Sequence, residues 1–196
     1  LRGLVDGFRV EIRQATGRDF PTDPRAQLWG AIAAVFRSWD TPRAQVYRKM
    51  HGYPATMGTA VNVQAMVFGN KGDDSATGVC FTRNPSAGAR ELYGEFLINA
   101  QGEDVVAGIR TPMKLIELET KLPKAYKQLC QVRKTLEAYY KEMQDLEFTI
   151  EDEKLYMLQC RTGKRLPQAA FKIAVDMVKE KLITKEQAIS RITPEQ

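Results

Sequence analysis

The sequence lacks the features that mark membrane-spanning, disulfide-bonded and histidine-dependent proteins. None of its apolar runs approaches the roughly 18 residues that a membrane-spanning helix needs. Its three cysteines, Cys80, Cys130 and Cys160, are far apart and form no CxxC pair, so we expect reduced thiols. His51 is the only histidine, and it lies in a turn-like His-Gly-Tyr-Pro stretch. The sequence therefore indicates neither a cysteine–histidine metal cluster nor a serine–histidine–aspartate site.

Long blocks of basic residues are also absent, although the formal net charge is +5. The basic residues are scattered along the chain, which does not predict a nucleic-acid surface but is compatible with small anionic partners such as nucleotides. The hydrophobic fraction of 43% and the charged fraction of 27% are ordinary for a globular protein. The chain starts at Leu1 without an initiator methionine, so we expect it to be a piece of a longer protein.

The most informative stretch is residues 145–161, where apolar and polar residues alternate on both sides of an acidic turn. This alternation predicts an antiparallel hairpin with one buried face. With the turn centred on Asp152, Asp145 lies beside Gln159. In the same register Glu147 lies beside Met157. The core face is then formed by Leu146, Phe148, Ile150, Tyr156, Leu158 and Cys160.

The opposite face of this predicted hairpin collects two carboxylates, an amide and a guanidinium, from Asp145, Glu147, Gln159 and Arg161. Mg²⁺ takes oxygen ligands and commonly shares them with substrate phosphates, and arginine matches phosphate oxygens with a planar fork. The face therefore suits Mg²⁺ together with a phosphate group. The alternative from spacing alone is a solvated hairpin face with an incidental ion pair.

Periodicity and turn residues predict the other elements. An apolar stripe from Leu28 to Trp39 predicts a helix that packs into the core. Residues 101–104 are predicted to form a polar loop, and Thr111-Pro112 to begin a helical region. Further elements are predicted as strands over 59–68, 78–83 and 91–99, and as a long amphipathic helix over 123–143.

Several long words of the sequence resemble the pyruvate, phosphate dikinase family. They occur in one order and cover nearly the whole chain, most weakly over the first 20 residues. Such a series is far more specific than a single short motif. The words are GTAVNVQAMVFGN (58–70), TGVCFTRNP (77–85), GEFL (94–97), NAQGEDVVAG (99–108), MQDLEFT (143–149) and LQCRTGKR (158–165).

The resemblance implies the C-terminal portion of an ATP-grasp nucleotide-binding domain, an α+β fold in which two lobes close on ATP. The expected fold is a lobe with an antiparallel sheet flanked by helices, with helical extensions at both ends. Residues 1–20 would be a helical segment and 21–66 the returning part of the first lobe. Residues 67–164 would form the second lobe, and 165–196 a helical linker towards a carrier domain.

The resemblance also implies site residues, position by position. Asp145, Glu147 and Gln159 match the Mg²⁺–nucleotide positions. Glu103, in the Gly-Glu-Asp stretch, matches an active-site acid, and Arg161 matches a phosphate-facing arginine, so both are expected to act in catalysis and in ATP binding. The remaining expected contacts with the nucleotide come from Gln64, Met66, Val67 and Met157.

The reaction implied by the resemblance moves phosphoryl groups from ATP through a carrier histidine to phosphate and pyruvate, giving AMP, diphosphate and phosphoenolpyruvate. The implied cofactors are ATP and Mg²⁺. The carrier-histidine segment and the pyruvate-binding barrel are not in this sequence, so we do not expect the chain alone to complete the reaction. The whole enzyme is expected to be a homodimer in the cytoplasm, or in an organelle such as a plastid or glycosome, with no nucleic-acid or membrane partner.

Two alternatives stay open from the sequence. One is a phosphoenolpyruvate synthase-like dikinase, which would carry different words at residues 81–85 and 159–161. The other is a non-catalytic basic module that binds polyanions in a salt-sensitive way.

Overall fold

The computed structural model of the protein describes residues 1–108 and 110–192, and these residues divide into two compact units. The first unit is Leu1–Ala65 and the second begins at Met66. The predicted linker 165–196 extends at residues 193–196 beyond the described part, and the assignment of sequence ranges to lobes stays a prediction. Within the described residues, no helix is long and apolar enough to cross a bilayer.

The first unit is helical. Its helices are α1 (Arg2–Thr16), α2 (Pro24–Ser38), α3 (Pro42–His51) and a short 3-10 helix, Ala55–Met57. Local signals explain the boundaries: Asp23 accepts a hydrogen bond from the Ala26 amide at 2.8 Å at the start of α2, and Pro24 follows in the first turn. Gly17 ends α1 with a φ of 70°, a conformation that glycine adopts without steric cost.

The prediction that α2 packs its apolar stripe into a core is wrong for this chain. No residue of α2 is buried, and Trp29 is 68% exposed. The spacing that predicts a helix is present, but the unit has too few elements to cover the stripe.

The predicted strand over 59–68 is also not formed. Residues 58–68 belong to no helix or strand in the described part of the chain, and Val63 is exposed. Alternating residues form a strand only when a neighbouring strand accepts their backbone hydrogen bonds, and no described strand pairs with this segment.

The second unit is built on a five-stranded antiparallel sheet. Its strands are β1 (Ala76–Phe81), β2 (Tyr93–Ile98), β3 (Met113–Lys114), β4 (Gln144–Glu151) and β5 (Lys154–Thr162), in the spatial order β3-β2-β1-β4-β5. Its helices are α4 (Gly102–Val106), α5 (Leu118–Lys121), α6 (Pro123–Tyr140), α7 (Pro167–Lys179) and α8 (Lys185–Ser190), with a 3-10 helix at Leu115–Glu117. The predicted α+β class, with an antiparallel sheet and flanking helices, is confirmed.

Two local predictions in this unit are wrong. Residues 101–104 are predicted to form a polar loop, but α4 starts there. Gln101 and Asp104 form a capping box, in which the backbone amide of Gln101 donates to Asp104 Oδ2 at 2.8 Å. The region after Thr111-Pro112 pairs first as β3 with β2, and turns helical only from Leu115.

One face of the sheet is covered by α5 and α6. The core on this side contains alternate residues of the strands and apolar residues of the helices, including Phe96, Leu118, Leu129, Leu146, Phe148 and Ile150. A second cluster joins Met143 to α7 through Ile173 and Met177. Because one face is filled with apolar side chains, the alternate residues of β1, β2, β4 and β5 point to the other face.

Candidate functional site

The strands β4 and β5 form a hairpin, joined by a two-residue turn, Asp152-Glu153, whose φ angles are 51° and 63°. Positive φ at both positions is the geometry of a tight hairpin turn that matches the twist of the strands. Glu151 therefore pairs with Lys154, one step away from the predicted register centred on Asp152.

A second shift occurs farther along the hairpin. Phe148 pairs with Met157, whereas the preceding residue of β4, Glu147, pairs with Gln159. Leu158 is thus the extra residue of a bulge, which changes the face of every residue after it in β5.

The turn register and the bulge together place three residues differently from the prediction: the turn sets the faces of Tyr156 and Met157, and Leu158 is the bulged residue. Met157 packs against the core and does not join the polar face. Leu158 is 39% exposed, and Tyr156 lies opposite Thr149 rather than on the core face. The predicted core positions Leu146, Phe148, Ile150 and Cys160 do lie on the core side.

The shifted register brings together the polar residues that the sequence placed on one face. Glu147 lies directly opposite Gln159, and the neighbouring pair on the same face is Asp145 with Arg161. Arg161 Nε donates a hydrogen bond to Asp145 Oδ2 at 2.8 Å. This bond raises the pKa of Arg161, and the nearby charge of Glu147 adds to the effect. Two carboxylates, a carbonyl oxygen and a guanidinium therefore share one patch of the sheet; we call these four residues the carboxylate patch.

The carboxylate patch lies beside a groove on the same face. Val79 of β1 pairs with Glu147 on one side and with Glu95 on the other, and Glu95 pairs with Lys114 of β3. The groove has a volume of about 630 Å³, and its lining includes Val79, Phe81, Tyr93, Glu95, Lys114 and Ile116. Sequence analysis missed Glu95 and Lys114, although the alternation of Glu95 with buried Phe96 could have placed Glu95 on this face.

Glu103 lies on α4, away from the carboxylate patch in sequence and in a different element. It is exposed. The start of α4 is tied to the segment that follows Phe68, because the Ala100 amide donates to the Gly69 carbonyl at 2.9 Å and Gln101 Nε2 to Asn70 Oδ1 at 3.3 Å. The structure thus places the start of α4, the helix that carries Glu103, beside residues 69–70.

The remaining predicted nucleotide contacts fall on either side of the sequence boundary between the two units. Gln64 belongs to the first unit, whereas Met66 and Val67 open the second. Gln64 and Met66 are exposed and Val67 is half-buried. None of them lies in a regular element, so their backbone groups are not used by a helix or sheet.

The carboxylate patch fits Mg²⁺ by its donor chemistry. Glu147 and Gln159 offer oxygen atoms from directly opposed positions, and oxygen donors are what this hard cation prefers. Across residues 1–108 and 110–192, no group of three or more histidine, cysteine, aspartate or glutamate side chains is arranged to hold a metal. A magnesium site here depends on the amide of Gln159 and on further oxygens from a ligand, and it stays a prediction.

The family profile and the related proteins point to the same family. The profile of a family described as "Pyruvate phosphate dikinase, AMP/ATP-binding domain" matches residues 22–123 and 120–182. A pyruvate, phosphate dikinase of Rhizobium meliloti is 56% identical over 203 residues and covers 97% of the chain. One from Clostridium symbiosum is 56% identical over 193 residues and covers 98%. A chloroplastic one from Arabidopsis thaliana is 54% identical over 195 residues and covers 100%.

The chain is much shorter than these relatives. It spans 23% of the Rhizobium protein, 22% of the Clostridium protein and 20% of the Arabidopsis protein. The relatives include bacterial proteins and proteins named as chloroplastic, so the family occurs in more than one compartment.

Proposed function

The chain belongs to the pyruvate phosphate dikinase AMP/ATP-binding family, and on this premise we propose that it supplies one side of the nucleotide site of such a dikinase. The family membership confirms the resemblance read from the sequence and does not favour the synthase-like or polyanion-binding alternatives. The observation that carries the proposal is the juxtaposition of Glu147 with Gln159 and of Asp145 with Arg161 on one face of the sheet.

Each member of the carboxylate patch has a proposed role. Glu147 and Gln159 hold Mg²⁺ with their oxygens, and Asp145 contributes a neighbouring negative charge. When bound, Mg²⁺ would neutralise negative charge on the phosphate oxygens of ATP during phosphoryl transfer. Arg161 is oriented by its hydrogen bond to Asp145 and directs its remaining donors to a phosphate oxygen.

The other end of the nucleotide is assigned to residues 64–67. The unused backbone groups of Gln64, Met66 and Val67 are suited to read the edge of adenine, because a base is recognised through donors and acceptors at fixed positions. Glu103, on the exposed start of α4, is proposed as the acid that faces the reacting phosphates. Met157 packs against the core, so a contact of its side chain with ATP would require rearrangement of the hairpin.

The overall reaction of the longer enzyme is also part of the proposal. ATP would donate phosphoryl groups to a carrier histidine, and phosphate and pyruvate would receive them, giving AMP, diphosphate and phosphoenolpyruvate. The carrier domain, the pyruvate-binding barrel and the contacts of a homodimer would belong to other parts of the longer enzyme.

Calorimetric titration of the chain with Mg–ATP tests the proposal. We expect weak, Mg²⁺-dependent binding, since only one side of the site is supplied. A parallel titration with heparin, a polyanion, tests the alternative function. Binding of heparin that weakens steeply with salt, together with indifference to Mg–ATP, would instead support a basic binding module.

A further inference from the structure

A third carboxylate lies on the same face of β4, at the far end from Arg161. Asp145, Glu147, Thr149 and Glu151 alternate along the strand, so their side chains share one face. Glu151 faces residues 68–71, near the start of the second unit. Its Oε2 accepts a hydrogen bond from the backbone amide of Phe68 at 2.8 Å, and its Oε1 contacts the amino group of Lys71.

Both oxygens of Glu151 are thus engaged by residues about 80 positions earlier in the chain. Its side chain is only 19% exposed. The hydrogen bonds from Lys71 and from the Phe68 amide lower the pKa of Glu151, which keeps the carboxylate charged. We call this arrangement of Glu151, Lys71 and the Phe68 amide the clamp. With both oxygens occupied, Glu151 is a poor candidate for a metal or phosphate ligand.

Neighbouring contacts fix the same segment against the hairpin turn. The Asp152 amide donates to Ser75 Oγ at 3.1 Å, and the Glu153 amide donates to the Asp74 carbonyl at 2.9 Å. Gly69 has no room for a side chain, because a Cβ atom there would lie 2.4 Å from the Ala100 carbonyl oxygen. Residues 68–75 are therefore held at several points, and the clamp is the one closest to Met66 and Val67.

The spacing along β4 relates the clamp to the carboxylate patch. Glu151 lies four residues from Glu147, and a rise of about 3.3 Å per residue separates them by roughly 13 Å. This is the length scale of a nucleoside triphosphate from its base to its terminal phosphates. One strand, hydrogen-bonded on both sides by β1 and β5, thus connects the two ends of the proposed site.

We propose that Glu151 is a positioning residue that fixes the backbone of Met66 and Val67 at a set distance from Glu147, so that base and triphosphate are held at the same time. The inference rests on the proposed function, since it assigns the base to residues 64–67. Glu151 does not touch the nucleotide. It acts through the Phe68 amide and through Lys71.

The test uses Glu151→Ala in this chain, with nucleotide affinity measured by NMR shift titration, which suits weak binding. Loss of the clamp is expected to weaken the binding of ATP and the binding of AMP by a similar factor of about 10, which is the effect of one hydrogen bond to a charged group. The preference for ATP over GTP should shrink, because the backbone that reads the base is no longer fixed. The Phe68 amide should also exchange faster with solvent.

Two further variants separate positioning from general damage. Glu151→Gln keeps an acceptor for the Phe68 amide and should restore most of the ATP-over-GTP preference. Glu153→Gln is the matched control, since Glu153 lies in the same turn but its side chain pairs with Lys124 at 2.6 Å; it should bind as the parent does. If Glu151→Ala does not fold, Lys71→Met replaces it, with a smaller change in the same direction.

The outcomes distinguish the two proposals. If the parent chain binds ATP and Glu151→Ala keeps the parent's affinity or its ATP-over-GTP preference, the positioning role is wrong and the proposed function stands. If the parent chain binds no nucleotide, the proposed function fails and the positioning role fails with it.

Discussion

Glu147 and Gln159 lie directly opposite each other on β4 and β5, immediately beyond the bulged residue Leu158. Without the bulge, the same strands would place an apolar side chain opposite Glu147. The bulge is thus the local feature that completes the carboxylate patch. Because β4 lies between β1 and β5, hydrogen bonds on both sides hold Glu147 in place.

Replacing Glu147 with glutamine should weaken Mg–ATP binding by about 10-fold, because a neutral amide replaces a charged oxygen ligand. AMP binding without Mg²⁺ should change little. Calorimetry on the variant and the parent measures both. Glu95→Gln is a matched control, since Glu95 lies on the same face and flanks Val79 on the side away from Glu147; an equal loss in the control would contradict the assignment of Glu147.

Arg83→Met should destabilise the second unit by about 3–5 kcal/mol, since it leaves a buried charge without its partner. Arg83 is fully buried and makes two hydrogen bonds each with Glu137 and Glu180, at 2.8–3.0 Å. Urea denaturation followed by circular dichroism measures the loss. Arg90→Met is the control, because Arg90 also pairs with Glu180 but its side chain is 53% exposed. This variant should lose less than about 1 kcal/mol of stability. Equal costs would show that burial of the pair is not what matters.

The same cluster predicts an acid-sensitive contribution to stability. The hydrogen bond from Arg83 lowers the pKa of Glu180. A carboxyl group with a lowered pKa in the folded state contributes stability above its ordinary pKa of about 4.3, and this contribution is lost as pH falls through the lower folded value. Denaturation midpoints from pH 6 to pH 3 should therefore fall more steeply for the parent than for Glu180→Gln; parallel curves would contradict the linkage.

Gly94→Ala should prevent correct pairing of β1 with β2. A Cβ atom at Gly94 would lie 2.1 Å from the Val79 carbonyl oxygen and 2.6 Å from the Cys80 Cα, both backbone atoms that cannot move without breaking the sheet. Soluble yield and thermal denaturation measure the effect. In contrast, Gly30→Ala in α2 meets no atom within 4 Å and should stabilise the helix by up to about 1 kcal/mol. A normally folded Gly94→Ala variant would show that the strand spacing is wrong.

Cys80 should be inert to thiol reagents in the folded protein, whereas Cys130 and Cys160 should react. Burial raises the pKa of Cys80 to about 12, so almost no thiolate exists at pH 8. Cys130 and Cys160 are partly accessible. Mass spectrometry after brief iodoacetamide treatment identifies the modified residues, and Cys80 should be labelled only in denaturant. Labelling of Cys80 at the rate of Cys130 would contradict its burial.

The elements with strong local signals are those the sequence predicts well. The buried alternation of Leu146, Phe148 and Ile150 follows from residue type and spacing, and the α+β class is implied by the family resemblance. The hairpin register does not follow, because a bulge depends on packing across strands and leaves no mark in the alternation. The polar residues still meet, since the turn and the bulge together return Gln159 to the face of Glu147.

Predictions that needed a partner element fared worse. The alternating run at 59–68 and the stripe on α2 have the right periods, but no described strand or helix of the chain pairs with the first or buries the second. The contact of Glu151 with Phe68 joins residues 83 positions apart, and nothing in the local sequence of either residue indicates it. The roles of individual site residues stay predictions until nucleotide binding is measured.

The position of β4 inside the sheet, between β1 and β5, also limits which insertions and deletions this protein can tolerate. Removing one residue just before Leu146 would exchange the two faces of the strand. The carboxylates would then face the hydrophobic core, and three apolar side chains would face water. Length changes at the exposed residues 86–87, in the connection between β1 and β2, do not turn a strand over. Related proteins should therefore vary in length near residues 86–87 and keep an invariant residue count from Gln144 to Glu151.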